Sequence, residues 1–401
     1  MTTPSDVVIL SAARTPQGKI KGNLAALRAV DLGAVAVRTA LAGLGGEGAS
    51  ALGPDDIDAL IFGQVLQAGA GQNPARQTSI AAGLGWRVPT VTINKVCLSG
   101  LAAIIDAARL IRAGDAEVVV AGGQESMTNA PHVLPGSRLG WSYGSITALD
   151  SAAHDGLTDA FDGESMGAST ERFTAKLGLT REAQDEFSAE SHRRAGAAAT
   201  SGIFDAEMAA VSIPQRKGDP LVIDTDEGVR PDSTAETLSR LRPSFADDGT
   251  LTAGNSSPLS DGAAAVVLTS RENAERRGLP WLAVLGATGQ VAGPDNSLHS
   301  QPSRAIAAAL AKTDWTASEL DFVEINEAFA AVALQSMADL GLDHARVNIH
   351  GGAIAIGHPI GASGARLVVH AAHELHRRGS GRAAVALCGG GGQGDALLLS
   401  R

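Results

Sequence analysis

Apolar positions along this chain fall into two rhythms that take turns. Short unbroken runs, such as Asp6-Val-Val-Ile-Leu-Ser-Ala12 and Glu117-Val-Val-Val-Ala-Gly-Gly123, read as strands buried on both faces. Ala-rich segments with helical spacing lie between them. Leu101, Ile104, Ile105, Ala108 and Ile111, for example, form one apolar stripe. Strands alternating with helices predict α/β architecture with mainly parallel sheets covered by helices.

The pattern occurs twice. Asp6–Ala12 is echoed by Trp281-Leu-Ala-Val-Leu-Gly-Ala287, and Asp58-Ala-Leu-Ile-Phe-Gly-Gln64 by Asp321-Phe-Val-Glu-Ile-Asn-Glu327. Ser99-Gly-Leu-Ala-Ala-Ile-Ile105 and Glu117–Gly123 are echoed by Ser363-Gly-Ala-Arg-Leu-Val-Val369 and Ala383-Ala-Val-Ala-Leu-Cys-Gly389. Matched units in the same order predict two homologous halves, 1–123 (completed by 257–275) and 276–401. The intervening 124–256 is richer in charge and too long for an ordinary loop, so an inserted subdomain over one sheet edge is expected. Within it, Thr180 is placed to cap a helix through Arg194.

Composition narrows the function. Lys and Arg number 32 against 43 Asp and Glu, a net charge of −11, which disfavours nucleic acid as a partner. No apolar run approaches membrane-spanning length, and Met1-Thr-Thr-Pro-Ser-Asp6 lacks the basic start of an export signal, so a cytoplasmic protein without a membrane partner is expected. With 2 cysteines in 401 residues there is no disulfide framework. A Cys-x-x-Cys redox pair is absent as well.

Cys97 ends the β-prone run Pro89-Thr-Val-Thr-Ile-Asn-Lys-Val96 and stands just before a helix, where free N–H groups and the macrodipole favour a thiolate. Strand, cysteine, helix is also how a nucleophile is held above a parallel sheet. A small core residue and a nucleophile both fit this placement. Cys388 follows another strand and precedes four glycines, whose backbone N–H groups can face an oxyanion. His358 lies in Gly351-Gly-Ala-Ile-Ala-Ile-Gly-His-Pro-Ile-Gly-Ala-Ser-Gly364, extended by Pro359 and cleared of bulk by glycine. Asn326 ends a strand and is placed either to cap the next helix or to aim its amide at a bound water. His370, His373 and His376 are successively rotated by about 60° on one helix and read as a solvent-facing stripe, not a metal site.

Together these segments resemble the thiolase family over essentially the whole chain. Asn-Lys-Val-Cys-x-Ser-Gly, Asn-Glu-Ala-Phe-Ala, the histidine loop and Cys-x-Gly-Gly-Gly-x-Gly stand in family order and spacing. The resemblance implies a duplicated thiolase-like fold and an acetyl-CoA C-acetyltransferase of acyl-CoA and fatty acid metabolism. Such an enzyme joins two acetyl-CoA into acetoacetyl-CoA plus CoA by Claisen condensation. Cys97 would carry the acyl group, His358 take its proton, and Cys388 act as acid and base. Asn326, through a water, and His358 would bind the enolate oxygen; the N–H groups of Cys97 and Gly390 would bind the tetrahedral oxyanion.

Coenzyme A, a substrate and product and not a resident cofactor, would lie on the insertion. Ser257 and Arg230 match family contacts to pantetheine and to the adenine end, Met166 is retained, and Arg216 and Lys217 are a candidate phosphate cluster. Leu98, Pro258, Ser165 and His350 depart from common family residues. No metal is implied, and a homodimer or homotetramer is expected. The rivals are a 3-ketoacyl-CoA thiolase for longer chains and a noncatalytic acyl-CoA-binding relative. A β-ketoacyl synthase is disfavoured because Cys-His-Cys with Asn326 replaces its Cys-His-His pattern.

Overall fold

The computed structural model describes residues 6–44 and 52–401. The stretch Met1–Ser5, read above for an export signal, lies outside the described residues. Nine strands run in one path across the molecule. From one edge the order is Thr90–Ile93, Ala59–Gly63, Val118–Ser126, Ser260–Ser270 and Val7–Arg14, then Ala283–Ala292, Gln393–Ser400, Arg382–Gly389 and Phe322–Ile325. The centre of this path is the antiparallel pairing of Val7–Ile9 with Ala283–Leu285, which joins the two halves.

Within the first half every strand of the path runs the same way except Ser260–Ser270. In the second the exception is Gln393–Ser400. The direction is therefore mainly parallel, although each reversed strand makes antiparallel ladders on both sides. The repeated sequence units occupy equivalent positions, so the duplication seen along the chain is a duplication in space.

Strand residues alternate between two apolar layers. Val7, Ile9, Val119 and Ala121 face an inner core, while Val8, Leu10, Val118 and Val120 face an outer one. The inner core holds two matched helices, Ser99–Ala113 and Ser363–Arg378, clamped between strands of both halves. Both begin Ser-Gly, and the glycines permit their close crossing. A Cβ on Gly364 would lie 2.5 Å from the backbone nitrogen of Leu101, and one on Gly100 would lie 2.9 Å from that of Ala365. The crossing brings the two helix starts together, and with them the loops carrying Cys97 and His358.

The chain leaves the sheet after Ser126 and returns at Ser260. The segment between carries the helices Met166–Leu177 and Arg181–Thr200 and two small hairpins. Thr180 caps the second helix through the N–H of Ala183 at 3.2 Å. Val211, Ile213 and Ile223 join the outer core of the first half, and Phe187 joins that of the second. The insertion thus lies across both halves, further than one sheet edge.

That coverage corrects the reading of the histidine stripe. His370 is buried, with Nδ1 2.8 Å from Glu207 and Nε2 3.0 Å from His350, because Phe204 and Glu207 of the insertion lie over this face of the helix. His373 reaches the carbonyl of Ala12 at 2.9 Å, and His376 alone of the three is exposed. Among the described residues no group of His, Cys, Asp and Glu is arranged to hold a metal.

Candidate active site

Strand Thr90–Ile93 ends in a tight turn that is strained at one residue. Val96 has φ +50°, a left-handed conformation that is a true outlier for a β-branched side chain. Local hydrogen bonds hold it there. Asn94 accepts from the N–H of Val96 at 3.0 Å, Ser99 accepts from that of Lys95 at 2.8 Å, and the Ser99 hydroxyl donates to the Val96 carbonyl at 2.6 Å. Lys95 also bridges halves, its ammonium 2.7 Å from the buried Asp395. Cys97 comes next, partly open to solvent, while Leu98 is fully buried against Gly389. Leu98 is therefore a packing residue.

Burial pushes the Cys97 thiol up to about 12, although the N–H groups of Cys97 itself and of Gly390 favour the thiolate. The helix start was expected to lower this pKa; desolvation outweighs it. Cys388, buried at the end of Arg382–Gly389, is also pushed up by burial and then by the neighbouring Cys97. Gly390 lies between the turn and the insertion: a Cβ there would meet Val96 at 3.4 Å and the Met166 sulfur at 3.5 Å.

His358 is buried, with Nδ1 2.6 Å from the Ser363 hydroxyl. That hydroxyl donates to the Pro359 carbonyl at 2.9 Å, so it accepts from Nδ1–H and leaves Nε2 as the free base. Burial, then the charge of Arg366, pushes the imidazole down to about 3, so it is neutral at physiological pH. The Asn326 amide nitrogen stands 3.4 Å from Nε2 and 3.5 Å from Nδ1, over the ring instead of in line with either nitrogen. Asn326 does not cap a helix, since Ala330–Leu340 begins later and Phe329 occupies the cap. Its side-chain oxygen is buried with no protein partner among the described residues.

Two buried glutamates escaped the sequence reading. Glu125 accepts from Val65 at 3.0 Å, Leu66 at 3.3 Å and Gly361 at 3.1 Å, tying the histidine loop to the first half. Burial raises its pKa to about 7 against those hydrogen bonds. Glu327 accepts from Ser191 at 2.7 Å, Asn348 at 2.8 Å and Ile354 at 3.0 Å, fixing the turn after Asn326. A carboxylate at the end of a strand that begins as an apolar run was the available signal for Glu125.

The residues assigned to coenzyme A fall into two sets. Met166 packs with Cys388, Ala328 and Phe329, and Ser257 bonds the Ala328 carbonyl through both its N–H and its hydroxyl, at 3.0 and 3.1 Å. Arg230 is exposed beside His192, and Arg216 and Lys217 are exposed in the turn joining Val211–Ile213 to Leu221–Ile223. Among the described residues these three side chains make no hydrogen bond to Cys97, Cys388 or His358. Ser165 caps Met166–Leu177 through Ala168 at 3.2 Å, and the Pro258 carbonyl accepts from Ser260 at 2.8 Å.

Known proteins resemble this chain over nearly its whole length. Residues 7–272 match the family described as thiolase, N-terminal domain, and residues 279–401 match thiolase, C-terminal domain. A probable acetyl-CoA acetyltransferase of Mycolicibacterium smegmatis is 55% identical over 98% of this chain and 100% of its own length. The acetyl-CoA acetyltransferase of Cupriavidus necator is 49% identical over 99% and 100%. The crystal structure of the Bacillus anthracis acetyl-CoA acetyltransferase superposes with a TM-score of 0.94 at 37% identity, covering 98% of both chains.

Proposed function

Given that the chain belongs to the thiolase family, we propose that it is an acetyl-CoA C-acetyltransferase, interconverting two acetyl-CoA with acetoacetyl-CoA plus CoA. The observation that carries this is the neighbouring of Cys97 and Cys388, with His358 held by Ser363 at the crossing of two helices that each begin Ser-Gly. Relatives named for this activity over nearly their full length support the acetyl substrate.

Two thiols that hold their protons at rest require a relay. His358 Nε2 takes the Cys97 proton, and the thiolate attacks the acetyl-CoA carbonyl. Cys388 gives its proton to the departing CoA sulfur, leaving acetyl-Cys97, a Cys388 thiolate and an imidazolium. Cys388 then removes a methyl proton from the second acetyl-CoA. The enolate oxygen accepts from His358 Nε2–H and from a water held by Asn326, and its carbon attacks acetyl-Cys97. The N–H groups of Cys97 and Gly390 receive the tetrahedral oxyanion, the largest rate contribution expected of such a site. Expulsion of Cys97, with the proton returned by His358, completes the cycle.

Coenzyme A enters as substrate and leaves as product. Met166 and Ser257 are assigned to its pantetheine end because they adjoin Cys388 and Ala328, and Arg230, Arg216 and Lys217 to its phosphates because they are exposed cations on the insertion. In this reading 124–256 is the CoA-binding subdomain between halves 1–123 (with 257–275) and 276–401. Leu139 and Trp141 are 94% and 51% exposed, apolar surface that favours a homodimer or homotetramer. No described helix is long and apolar enough to cross a membrane, and a cytoplasmic enzyme of fatty acid metabolism is the assigned setting.

CoA-dependent thiolysis of acetoacetyl-CoA and 3-ketooctanoyl-CoA, side by side, tests the reading. Preference for acetoacetyl-CoA is expected. Equal or faster cleavage of the longer substrate replaces it with a broad-range 3-ketoacyl-CoA thiolase, and silence on both with a noncatalytic acyl-CoA-binding relative.

A further inference from the structure

Arg366 and Glu324 form an ion pair inside the second half, Nη1 to Oε2 3.8 Å, with side chains 2% and 0% exposed. Neither takes part in the proton relay above. Both glutamate oxygens, together with Nε and Nη2 of the arginine, have no protein hydrogen-bond partner among the described residues. Two charges taken this far from water are costly, and an apolar pair of similar volume often serves stability as well. Their placement suggests what the cost supports.

Glu324 lies on the strand Phe322–Ile325, two residues before Asn326. Arg366 lies in the first turn of the helix Ser363–Arg378, whose first residue holds His358 Nδ1 at 2.6 Å. The pair therefore spans the two elements that deliver the amide and the imidazole. We propose that Arg366 and Glu324 are positioning residues that set the Asn326–His358 spacing where the enolate oxygen binds. The inference rests on the thiolase reading: Ser363 separately holds His358 for acyl transfer, so the pair acts through the placement of Asn326 and bears on the carbon–carbon step more than on acyl transfer to Cys97. His370, Glu327, Glu207 and Arg14 are the other charged or titratable groups acting on the pair, and all are buried. The Arg366 charge also acts on His358 in the sense that keeps the imidazole neutral.

The test separates two half-reactions in Arg366→Met, Arg366→Lys and Glu324→Gln, with circular dichroism and melting to establish folding. Exchange of labelled CoA into acetyl-CoA reports acyl transfer alone; thiolysis of acetoacetyl-CoA adds the carbon–carbon step. Displacing one wall of the hole is expected to lower kcat for thiolysis about 100-fold in Arg366→Met and Glu324→Gln. Exchange should stay within about threefold, KM should hold, and Arg366→Lys should recover about tenfold of the lost kcat. Glu324→Gln is isosteric and carries the test if Arg366→Met does not fold. Proportional loss of both half-reactions in the folded variants, or loss of neither, overturns the proposal. Absence of both half-reactions in the unaltered protein would instead overturn the thiolase reading.

Discussion

At the scale of single residues, the site is governed by where protons rest. Both sulfurs are desolvated enough to keep their protons, although Cys97 is partly open to solvent, and His358 is buried enough to lack a second one, so each group is inert until a neighbour changes charge. Such coupling predicts two roles of unequal weight. Cys388→Ala removes both the acid that protonates the departing CoA and the base that deprotonates the acetyl methyl, but leaves the Cys97 turn intact. Because CoA can leave as its thiolate, acetylation of Cys97 by acetyl-CoA should slow yet reach completion, while formation and cleavage of the carbon–carbon bond fall by at least about 1,000-fold. Quantitative acylation by mass spectrometry, paired with thiolysis rates, checks this; thiolysis at the unaltered rate would remove Cys388 from the mechanism. Cys97, Cys388 and His358 were legible as residues because each stands in a short glycine- or serine-rich segment ending a strand. Their pKa values were not legible. The helix-start argument predicts a lowered Cys97 pKa, and only the packing around the sulfur reveals that desolvation prevails.

At the scale of elements, the crossing of Ser99–Ala113 with Ser363–Arg378 positions the chemistry. Gly364 is required there by contact, since a Cβ would strike the Leu101 backbone at 2.5 Å and backbone cannot swing aside as a side chain can. Gly364→Ala should destabilise the fold by about 1–3 kcal/mol through overpacking. The same displacement should lower kcat by moving the Ser363–His358 hydrogen bond away from Cys97. Chemical denaturation and thiolysis measured together check it, and an unchanged midpoint with full activity would contradict the crossing geometry. Helix starts such as the Thr180 cap were readable because they depend on a few adjacent residues, whereas the end of that helix lies at Thr200, beyond the Arg194 read from sequence. The ties that brace the site were not. Lys95 meets Asp395, and Glu125 meets Gly361, across most of the chain, and no local spacing records such a pairing.

At the scale of the molecule, duplication was visible because each half repeats the same strand and helix rhythm, and the paired strands Val7–Ile9 and Ala283–Leu285 join those halves directly. The reach of the insertion was hidden, since its apolar residues are few and fill gaps in cores built elsewhere. Its burial of His370 is the clearest case, because three histidines at helical spacing look alike until something covers one. Burial also sets the acid limit of the whole fold. His192, His299, His344 and His350 are pushed down to about 4, and His358 to about 3, each first by desolvation. A histidine whose folded pKa lies below its unfolded value adds stability that is present above the unfolded value and lost as pH falls. Melting temperature should therefore drop from about pH 6.5 to about pH 4, against opposing contributions from Glu125 and Glu324, whose pKa values burial raises to about 7, and from His370, raised by Glu207 despite burial. A flat or rising profile across that window would contradict the dominance of these histidines.

The most direct measurement is the mass of each cysteine peptide after the protein is mixed with acetyl-CoA and quenched in acid. An acetyl group on Cys97, absent in Cys97→Ser and discharged by added CoA, is the predicted result. A free Cys97 alongside an acetyl group at another residue, or no acetylation in a protein that still cleaves acetoacetyl-CoA, would contradict the account.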